Sequence, residues 1–154
     1  MNSRVASIQK ILDENPNSFV ILSNGLTARE AACFIPSNRC FYMLHGMGES
    51  LAVGIGFAKA KPTQSVVVVE GDYNALMGLA SWSLMPCPNL TYYVLANGIS
   101  ETTGGQRLPI LPFIPSWCHV VSVAPGKEVT PNPPSPVEIW NKCQFWLTAG
   151  ASRR

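Results

Sequence analysis

The run SVVVVE, at residues 65–70, constrains the fold more than any other part of this chain. Four consecutive valines favour a strand, because β-branched side chains pack well on a pleated sheet. An apolar run without alternating polar residues is typical of a parallel strand that is covered on both faces. Gly71 and Asp72 follow, and residues 74–85 are apolar with a helical pattern. The sequence therefore predicts a buried strand that ends at an acidic residue, where a helix begins.

Strands and helices alternate along the rest of the chain. Two S/T-x-x-E patterns, Thr27 with Glu30 and Ser135 with Glu138, have the spacing of capping boxes that begin helices. Further strands are predicted at 19–22, 40–44, 90–96 and 118–124, and helices at 4–13, from Thr27 to Phe34, after Gly48 as far as Pro62, at 74–85, and from Pro136 to about 147. This alternation predicts an α/β fold, in which helices cover both faces of a parallel sheet.

The composition limits the class of protein. With 154 residues, 47% hydrophobic and only 13% charged, the chain has enough apolar surface for a core, and we expect a single domain over residues 1–154 with a proline-rich loop at 125–136. The high apolar content also suggests that a partner covers part of the surface. The net charge of +2 gives no reason to expect a nucleic-acid partner.

The cysteines and the hydropathy pattern indicate the compartment. Five cysteines stand at irregular spacings without a CxxC pair, which argues against a zinc site and a disulfide framework. No segment reaches the roughly 18 uninterrupted apolar residues that a membrane span needs, and the N-terminus lacks a signal-peptide core. We therefore expect a cytoplasmic protein with reduced thiols and no membrane partner.

Asp72 and Asn97 each follow a predicted strand, at the end where parallel α/β sheets bind ligands. If the strands are neighbours, both side chains face one crevice, beside the N-terminus of the helix that starts near Asn74. A helix N-terminus attracts phosphate, but a carboxylate repels it unless a cation lies between them, and Mg²⁺ prefers oxygen ligands. The pattern thus suggests a metal–diphosphate site. An ordinary helix cap at Asp72 and a turn at Asn97-Gly98 remain the alternative.

Four segments carry a family resemblance: VILSNGLTARE (20–30), FYMLHGMG (41–48), GDYNALMGL (71–79) and ANGISETTGGQ (96–106). They resemble, in order and in register, the diphosphate-binding half of thiamine diphosphate enzymes. The similarity to phosphonopyruvate and sulfopyruvate decarboxylases is greater still, and it covers residues 5 to about 110. The resemblance implies the thiamine diphosphate-binding fold, with thiamine diphosphate and Mg²⁺ as cofactors.

The resemblance also implies a role for individual residues on the metal side of the site. Asp72 and Asn97 would bind Mg²⁺ through their side chains, and Ile99 through its backbone carbonyl. Gly71, Tyr73 and Asn74 would lie against the diphosphate.

A second group of residues would contact the rest of the cofactor: His45, Gly46, Met47 and Gly48. Met47 would wedge the cofactor into its bent form. The backbone carbonyl of His45 would accept a hydrogen bond from the aminopyrimidine. The His45 side chain, where the family has glycine, is a candidate catalytic acid–base group, and a purely structural role is the alternative. The loop TTGGQ, at 102–106, is expected to close over the active site.

The function that the resemblance implies is that of a lyase. It would decarboxylate a 3-substituted pyruvate, phosphonopyruvate or sulfopyruvate, to an aldehyde and carbon dioxide. The activating glutamate in such enzymes comes from a pyrimidine-binding domain, so we expect a separate, alpha-type subunit to supply it in a hetero-oligomer or homo-oligomer.

Departures from the family pattern leave alternatives open. Tyr73 stands where the family has a third glycine, and His45 where it has another glycine. These changes motivate an alternative: a degenerate, non-catalytic subunit that keeps the fold and supports a partner chain. Gly46-Met47-Gly48 also matches part of a dinucleotide fingerprint, so a nicotinamide enzyme is a weaker alternative.

Overall fold

A computed structural model of the chain describes residues 2–109 and 113–148. Its elements, in chain order, are α1 (Arg4–Glu14), β1 (Phe19–Leu22), α2 (Leu26–Phe34), β2 (Cys40–Tyr42), α3 (Ser50–Ala60), β3 (Val66–Gly71), α4 (Asp72–Met77), a 3-10 helix (Leu79–Leu84), β4 (Leu90–Ala96), β5 (Ile99–Ser100), β6 (Gln106–Arg107), β7 (Cys118–Ser122) and α5 (Pro136–Thr148). Within these ranges no helix has the length and apolar character to cross a membrane.

Five strands form a parallel sheet in the order β2-β1-β3-β4-β7, which confirms the predicted α/β fold. The chain goes from β1 to β2 on one side, and then back to β3 on the other side of β1. Because such crossovers are right-handed, α2 and α3 lie on opposite faces of the sheet. The strand order reverses between β1 and β3, and their carboxyl ends border a crevice where ligands bind in folds of this type.

The four valines of β3, Val66 to Val69, are fully buried at the centre of the sheet. Helix α3 lies directly on this strand at Gly54, where an added Cβ would come within 2.3 Å of Val68 Cγ2. Gly56 lies two residues further along, on roughly the opposite face of the helix, and a Cβ there would meet open space. Close packing on the core therefore accounts for Gly54, and it does not account for Gly56.

Two predictions about helices need correction. The helix predicted over 74–85 begins at Asp72 and changes to a 3-10 helix after Gly78. At Gly78 the backbone runs against the loop before α3, and an added Cβ would lie 2.1 Å from the carbonyl oxygen of Gly48. The close approach of two backbones, which a one-dimensional pattern does not register, coincides with this break.

The predicted capping box of Thr27 and Glu30 is wrong, whereas that of Ser135 and Glu138 is confirmed. Helix α2 begins at Leu26 after Gly25, without a side-chain cap, and the Glu30 carboxylate accepts a hydrogen bond from Arg4 instead. At the start of α5 the Ser135 N–H donates to Glu138 Oε2 over 2.9 Å, and the Glu138 N–H donates to Ser135 Oγ over 3.4 Å. An ionic partner 26 residues away outweighs the local motif in α2.

Candidate functional site

Asp72 lies at the carboxyl end of β3, as the first residue of α4, and its side chain is 9% exposed. Its Oδ1 accepts a hydrogen bond from the Tyr73 N–H over 2.9 Å. Its Oδ2 accepts two, from the N–H groups of Asn97 over 3.0 Å and Gly98 over 2.8 Å. The N-cap position belongs to Gly71, so the carboxylate ties the start of α4 to the end of β4 and is not a simple helix cap.

The surroundings of Asp72 favour a bound cation. Burial raises the pKa of the Asp72 carboxyl, and the N–H groups of Gly98, Asn97 and Tyr73 oppose the rise. These donors are neutral groups, which solvate the carboxylate without cancelling its charge. A cation that binds this oxygen set would offset the cost of keeping the charge out of water.

Asn97 follows β4 and turns its two amide atoms in different directions. Its Oδ1 accepts a hydrogen bond from the Ile99 N–H over 3.0 Å, and its Nδ2 donates to Glu101 Oε2 over 2.7 Å. Asp72 Oδ1 and Asn97 Oδ1 therefore each accept one described hydrogen bond, and each has a second lone pair. Both strand ends are brought together at one point of the crevice.

The donor set fits a hard cation such as Mg²⁺, which takes oxygen ligands and keeps waters or phosphate oxygens in its other positions. One carboxylate and one amide oxygen are available from Asp72 and Asn97. Among the described residues, His, Cys, Asp and Glu side chains form no group of three or more that could hold a metal ion. The described part of the chain thus offers a transition metal no such cluster of its preferred ligands.

A cavity of about 140 Å³ lies over this point. It brings together seven of the residues that the sequence analysis assigned to the site: Met47, Gly71, Asp72, Tyr73, Asn74, Asn97 and Ile99. Thr102 and Thr103, from the loop that was expected to close over the site, also line it. The volume suits a diphosphate group and is well below the roughly 300 Å³ at which ligand pockets for larger molecules begin.

The turn between β1 and α2, together with the first turn of α2, contributes residues that were not predicted to belong to the site. Asn24, Gly25 and Thr27 line the cavity, and the buried Oδ1 of Asn24 has no hydrogen-bond partner. Gly25 has a φ of 87°, which favours glycine. The turn Ser23-Asn24-Gly25 was visible in the sequence directly after β1, but only the fold shows that it lies where the strand order reverses. This buried oxygen at the cavity can accept a hydrogen bond from a ligand or from a water.

Tyr73 occupies an ordinary helical position. No non-glycine residue in the described part of the chain has a positive φ, so tyrosine at the family's third glycine position causes no backbone strain. Its side chain is 38% exposed and borders the cavity. The ring therefore forms part of the wall of the site and is partly open to solvent.

The four residues from His45 to Gly48 were predicted to contact the cofactor together, but they do not all lie at the cavity over Asp72. His45 is exposed and borders a separate cavity of about 650 Å³, together with Arg29 and residues 132–135. Gly46 and Gly48 have φ values of 76° and 80°, and neither lines the cavity over Asp72. The Gly48 N–H donates to Asn74 Oδ1 over 3.0 Å. Of this segment, only Met47 lines the cavity over Asp72.

A buried ionic cluster adjoins the segment after β4 that carries Asn97. The guanidinium of Arg4 pairs with Glu30 Oε1 over 2.6 Å, and it also pairs with Glu101 Oε2. The side chains of these three residues are only 7%, 3% and 9% exposed. No sequence pattern reveals this cluster, because Glu30 and Glu101 lie 26 and 97 residues from Arg4 along the chain.

Comparison with known proteins identifies relatives for most of the chain. The family described as thiamine pyrophosphate enzyme, C-terminal TPP binding domain, matches residues 18–146. A phosphonopyruvate decarboxylase of Streptomyces hygroscopicus is 38% identical over 109 residues, which are 68% of this chain and 27% of the relative. That of Streptomyces viridochromogenes is 37% identical over 109 residues, with the same coverage.

A third relative is a separate subunit. The sulfopyruvate decarboxylase subunit beta of Methanocaldococcus jannaschii is 32% identical over 108 residues, which are 68% of this chain and 57% of the relative. The chain therefore matches about a quarter of the length of the two phosphonopyruvate decarboxylases, and somewhat over half of the subunit.

Proposed function

Because the chain belongs to the thiamine pyrophosphate enzyme family, as a C-terminal TPP-binding domain, we propose that it is the diphosphate-binding part of a thiamine diphosphate- and Mg²⁺-dependent decarboxylase. The substrate is a 3-substituted pyruvate that carries a phosphonate or a sulfonate, and the products are an aldehyde and carbon dioxide. Residues 1–154 form one diphosphate-binding domain in this proposal. The curated relatives that match the chain are named as decarboxylases of such compounds.

The observation that carries the proposal is the junction between Asp72 and Asn97. At the ends of two neighbouring strands the backbone N–H of Asn97 donates to the buried Asp72 carboxylate, and both residues line a cavity of about 140 Å³. In the proposed site Asp72, Asn97 and the backbone carbonyl of Ile99 hold Mg²⁺. Gly71, Tyr73 and Asn74 border the diphosphate, and the unpartnered Asn24 Oδ1 accepts a hydrogen bond from the cofactor or from its water.

The remaining contributions of the chain concern orientation. When bound, the cofactor supplies the electron sink that decarboxylation of a 2-oxo acid needs. Met47 would pack against the cofactor and support its bent form, and Gly46 and Gly48 give the loop the turns that bring Met47 to the cavity. His45 presents its backbone carbonyl to the aminopyrimidine, and its imidazole is the group of this segment that can hold or move a proton.

The cavity of about 650 Å³ beside His45 has side chains that suit an anionic substrate. Arg29 and His45 line it, and it shares Asn24, Gly25 and Thr102 with the cavity over Asp72. A phosphonate or sulfonate placed near Arg29 would lie beside the reacting end of the site. Arginine suits this role because its planar guanidinium can donate two parallel hydrogen bonds to such groups.

A partner subunit completes the proposed site. The cavity over Asp72 is too small for the whole cofactor, and two of the side chains that line it, Met47 and Tyr73, are 42% and 38% exposed. A pyrimidine-binding, alpha-type subunit that covers this surface would enclose the cofactor and supply the activating glutamate. The relative from Methanocaldococcus jannaschii, which is named as a beta subunit, supports a division between chains.

Ligand-induced stabilisation tests the proposal. Thermal unfolding of the chain is measured with and without thiamine diphosphate plus Mg²⁺, for the wild type and for Asp72→Ala. A ligand at 100 times its Kd stabilises the folded state by about 2.7 kcal/mol, so Tm should rise in the wild type and stay constant in the variant. An equal rise in both proteins would refute the assigned metal site.

Activity separates the proposal from the non-catalytic alternative, which the tyrosine in the wall of the cavity favours. A candidate pyrimidine-binding subunit is added, and carbon dioxide release is measured with phosphonopyruvate and with sulfopyruvate. Turnover that Asp72→Ala abolishes supports the decarboxylase. Stable complex formation with cofactor bound but without turnover of either substrate would favour a supporting subunit.

A further inference from the structure

We propose that Glu101 is a positioning residue for the metal site: it holds the amide of Asn97 so that Oδ1, and not Nδ2, is presented to the cation. This inference rests on the proposed function and adds a residue to it. Glu101 accepts a hydrogen bond from Asn97 Nδ2 over 2.7 Å. It lies four residues after Asn97 along the chain, directly after β5.

An asparagine side chain can present either of two faces to a cation. Its oxygen is a ligand, whereas its NH2 group donates hydrogen bonds and repels a positive charge. The Ile99 N–H already requires an acceptor, and Asn97 Oδ1 meets that need over 3.0 Å. A carboxylate on the opposite side requires a donor. If the amide rotated by 180°, its oxygen would face Glu101 and its NH2 group would face the Ile99 N–H, so both contacts would become repulsive.

The charge balance of the cluster keeps Glu101 an acceptor. One guanidinium, that of Arg4, is shared between two carboxylates, those of Glu30 and Glu101. The surplus negative charge draws further donors. The backbone N–H groups of Gly126 and Glu128 bind Glu101 Oε1 and Glu30 Oε1, and the Asn97 amide binds Glu101 Oε2. The buried ionic cluster therefore holds the Asn97 amide in one orientation through Glu101.

The ionic cluster links α1 to the segment after β4 that carries Asn97. Arg4 is the first residue of α1 and Glu30 lies in the middle of α2, so the ionic cluster ties α1 and α2 through Glu101 to the segment after β4. Removal of a group that hydrogen-bonds to a metal ligand and orients it typically lowers the metal affinity by about 10- to 100-fold. Glu101 is of that kind, because it contacts Asn97 and is not itself assigned as a ligand.

The test uses Mn²⁺ as the probe, with inorganic pyrophosphate in place of the cofactor. Free Mn²⁺ is read by electron paramagnetic resonance while the metal is titrated into the full chain. Glu101→Ala should weaken Mn²⁺ binding about tenfold or more. Glu101→Gln keeps an acceptor oxygen and should weaken it less. The side-chain NH2 resonance of Asn97 should lose its hydrogen-bonded chemical shift in Glu101→Ala.

Glu30→Gln is the matched control, because it removes a carboxylate charge from the same cluster without touching Asn97. It should lower Tm and leave the Mn²⁺ affinity within about twofold, since the bond between Glu101 and Asn97 remains. A loss of affinity that follows the loss of Tm in Glu30→Gln and Glu101→Ala alike would mean that the cluster acts only through stability, and this result would overturn the proposal.

In a second background, the variant Asn97→Asp, the effect of Glu101→Ala on Mn²⁺ affinity should disappear or change sign. In Asn97→Asp both side-chain atoms are oxygens, so no orientation is needed and Glu101 only repels the new carboxylate. Glu101→Ala should then leave Mn²⁺ binding unchanged or strengthen it. If Glu101→Ala weakens binding as much in this background as in the wild type, Glu101 does not act by orienting an amide. If the wild type binds Mn²⁺ no better than Asp72→Ala, the proposed metal site fails, and this inference fails with it.

Discussion

The two sides of the candidate site are built to different degrees. On the Asp72 side, three N–H groups hold the carboxylate, the side chain is nearly buried, and Asn97 has a partner for each amide atom. On the Met47 side, both His45 and Met47 are exposed, and the loop depends on two glycines with positive φ. The first side is organised by hydrogen bonds within the chain, and the second presents side chains outward.

This difference separates the two tasks of such a site. Holding a metal and a diphosphate needs fixed oxygen atoms, which one chain can position through its own backbone. Bending a cofactor between two surfaces needs apolar contact from both, and one chain supplies only half of that contact. The Asp72 side, which is prearranged, should therefore control the affinity for metal and diphosphate in the isolated chain. The Met47 side, which is open, should matter when a partner covers it.

The largest expected effect is on the prearranged side. Asp72→Asn removes the charge that the metal needs while it keeps the shape of the side chain, and metal-dependent pyrophosphate affinity should fall on the order of 100-fold or more. Isothermal titration of Mg²⁺ with pyrophosphate measures it, and circular dichroism checks the fold. If Met47→Ala caused a loss of the same size in the isolated chain, the two sides would not differ in the way described.

The seam between the two sides should give the next largest effect. Gly78→Ala places a Cβ 2.1 Å from the Gly48 carbonyl oxygen, so one backbone must move away from the other. We expect a loss of about 3 kcal/mol, at the upper end for overpacking, which lowers Tm by about 6–12 °C in a chain of this size. Thermal unfolding measures the change.

Gly56→Ala is the control for that substitution. The added Cβ meets open space in the middle of α3, so the variant should be more stable by up to about 1 kcal/mol, the intrinsic preference for alanine over glycine in a helix. Equal effects of the two substitutions would show that the contact between Gly48 and Gly78 does not hold the two sides together.

Much of this arrangement could be predicted from the sequence alone. The remainder depends on contacts between residues that are far apart along the chain. The run at 65–70 and the spacing of the other strands are local patterns, and they led to the parallel sheet and to Asp72 and Asn97 at adjacent strand ends. The break of the helix at Gly78 and the pairing of Glu30 with Arg4 depend on atoms far away in the chain. Nothing within a few residues of Glu30 marks it as an ionic partner, and its spacing from Thr27 suggested a cap.

The same distinction explains the residues around the turn after β1. The motif that contains Ser23, Asn24 and Gly25 was visible in the sequence, but the role of Asn24 depends on which strand lies beside β1. Once β3 is known to be that neighbour, Asn24 falls at the point where the strand order reverses. His45 shows the opposite case, because motif order grouped it with Met47, whereas the loop turns it toward Arg29 and the other cavity.

The smallest expected effect belongs to Met47 in the isolated chain. Its side chain is 42% exposed, so Met47→Ala removes little buried surface and should change the free energy of unfolding by no more than about 0.5 kcal/mol. Pyrophosphate affinity should also stay nearly constant, because pyrophosphate lacks the rings that Met47 would support. With a partner subunit present, the same variant should weaken thiamine diphosphate binding, since the cofactor's rings are then enclosed between two surfaces. Titrations of both ligands, with and without the partner, measure the contrast. A variant that weakens pyrophosphate in the isolated chain would place Met47 on the prearranged side and remove the division between the two.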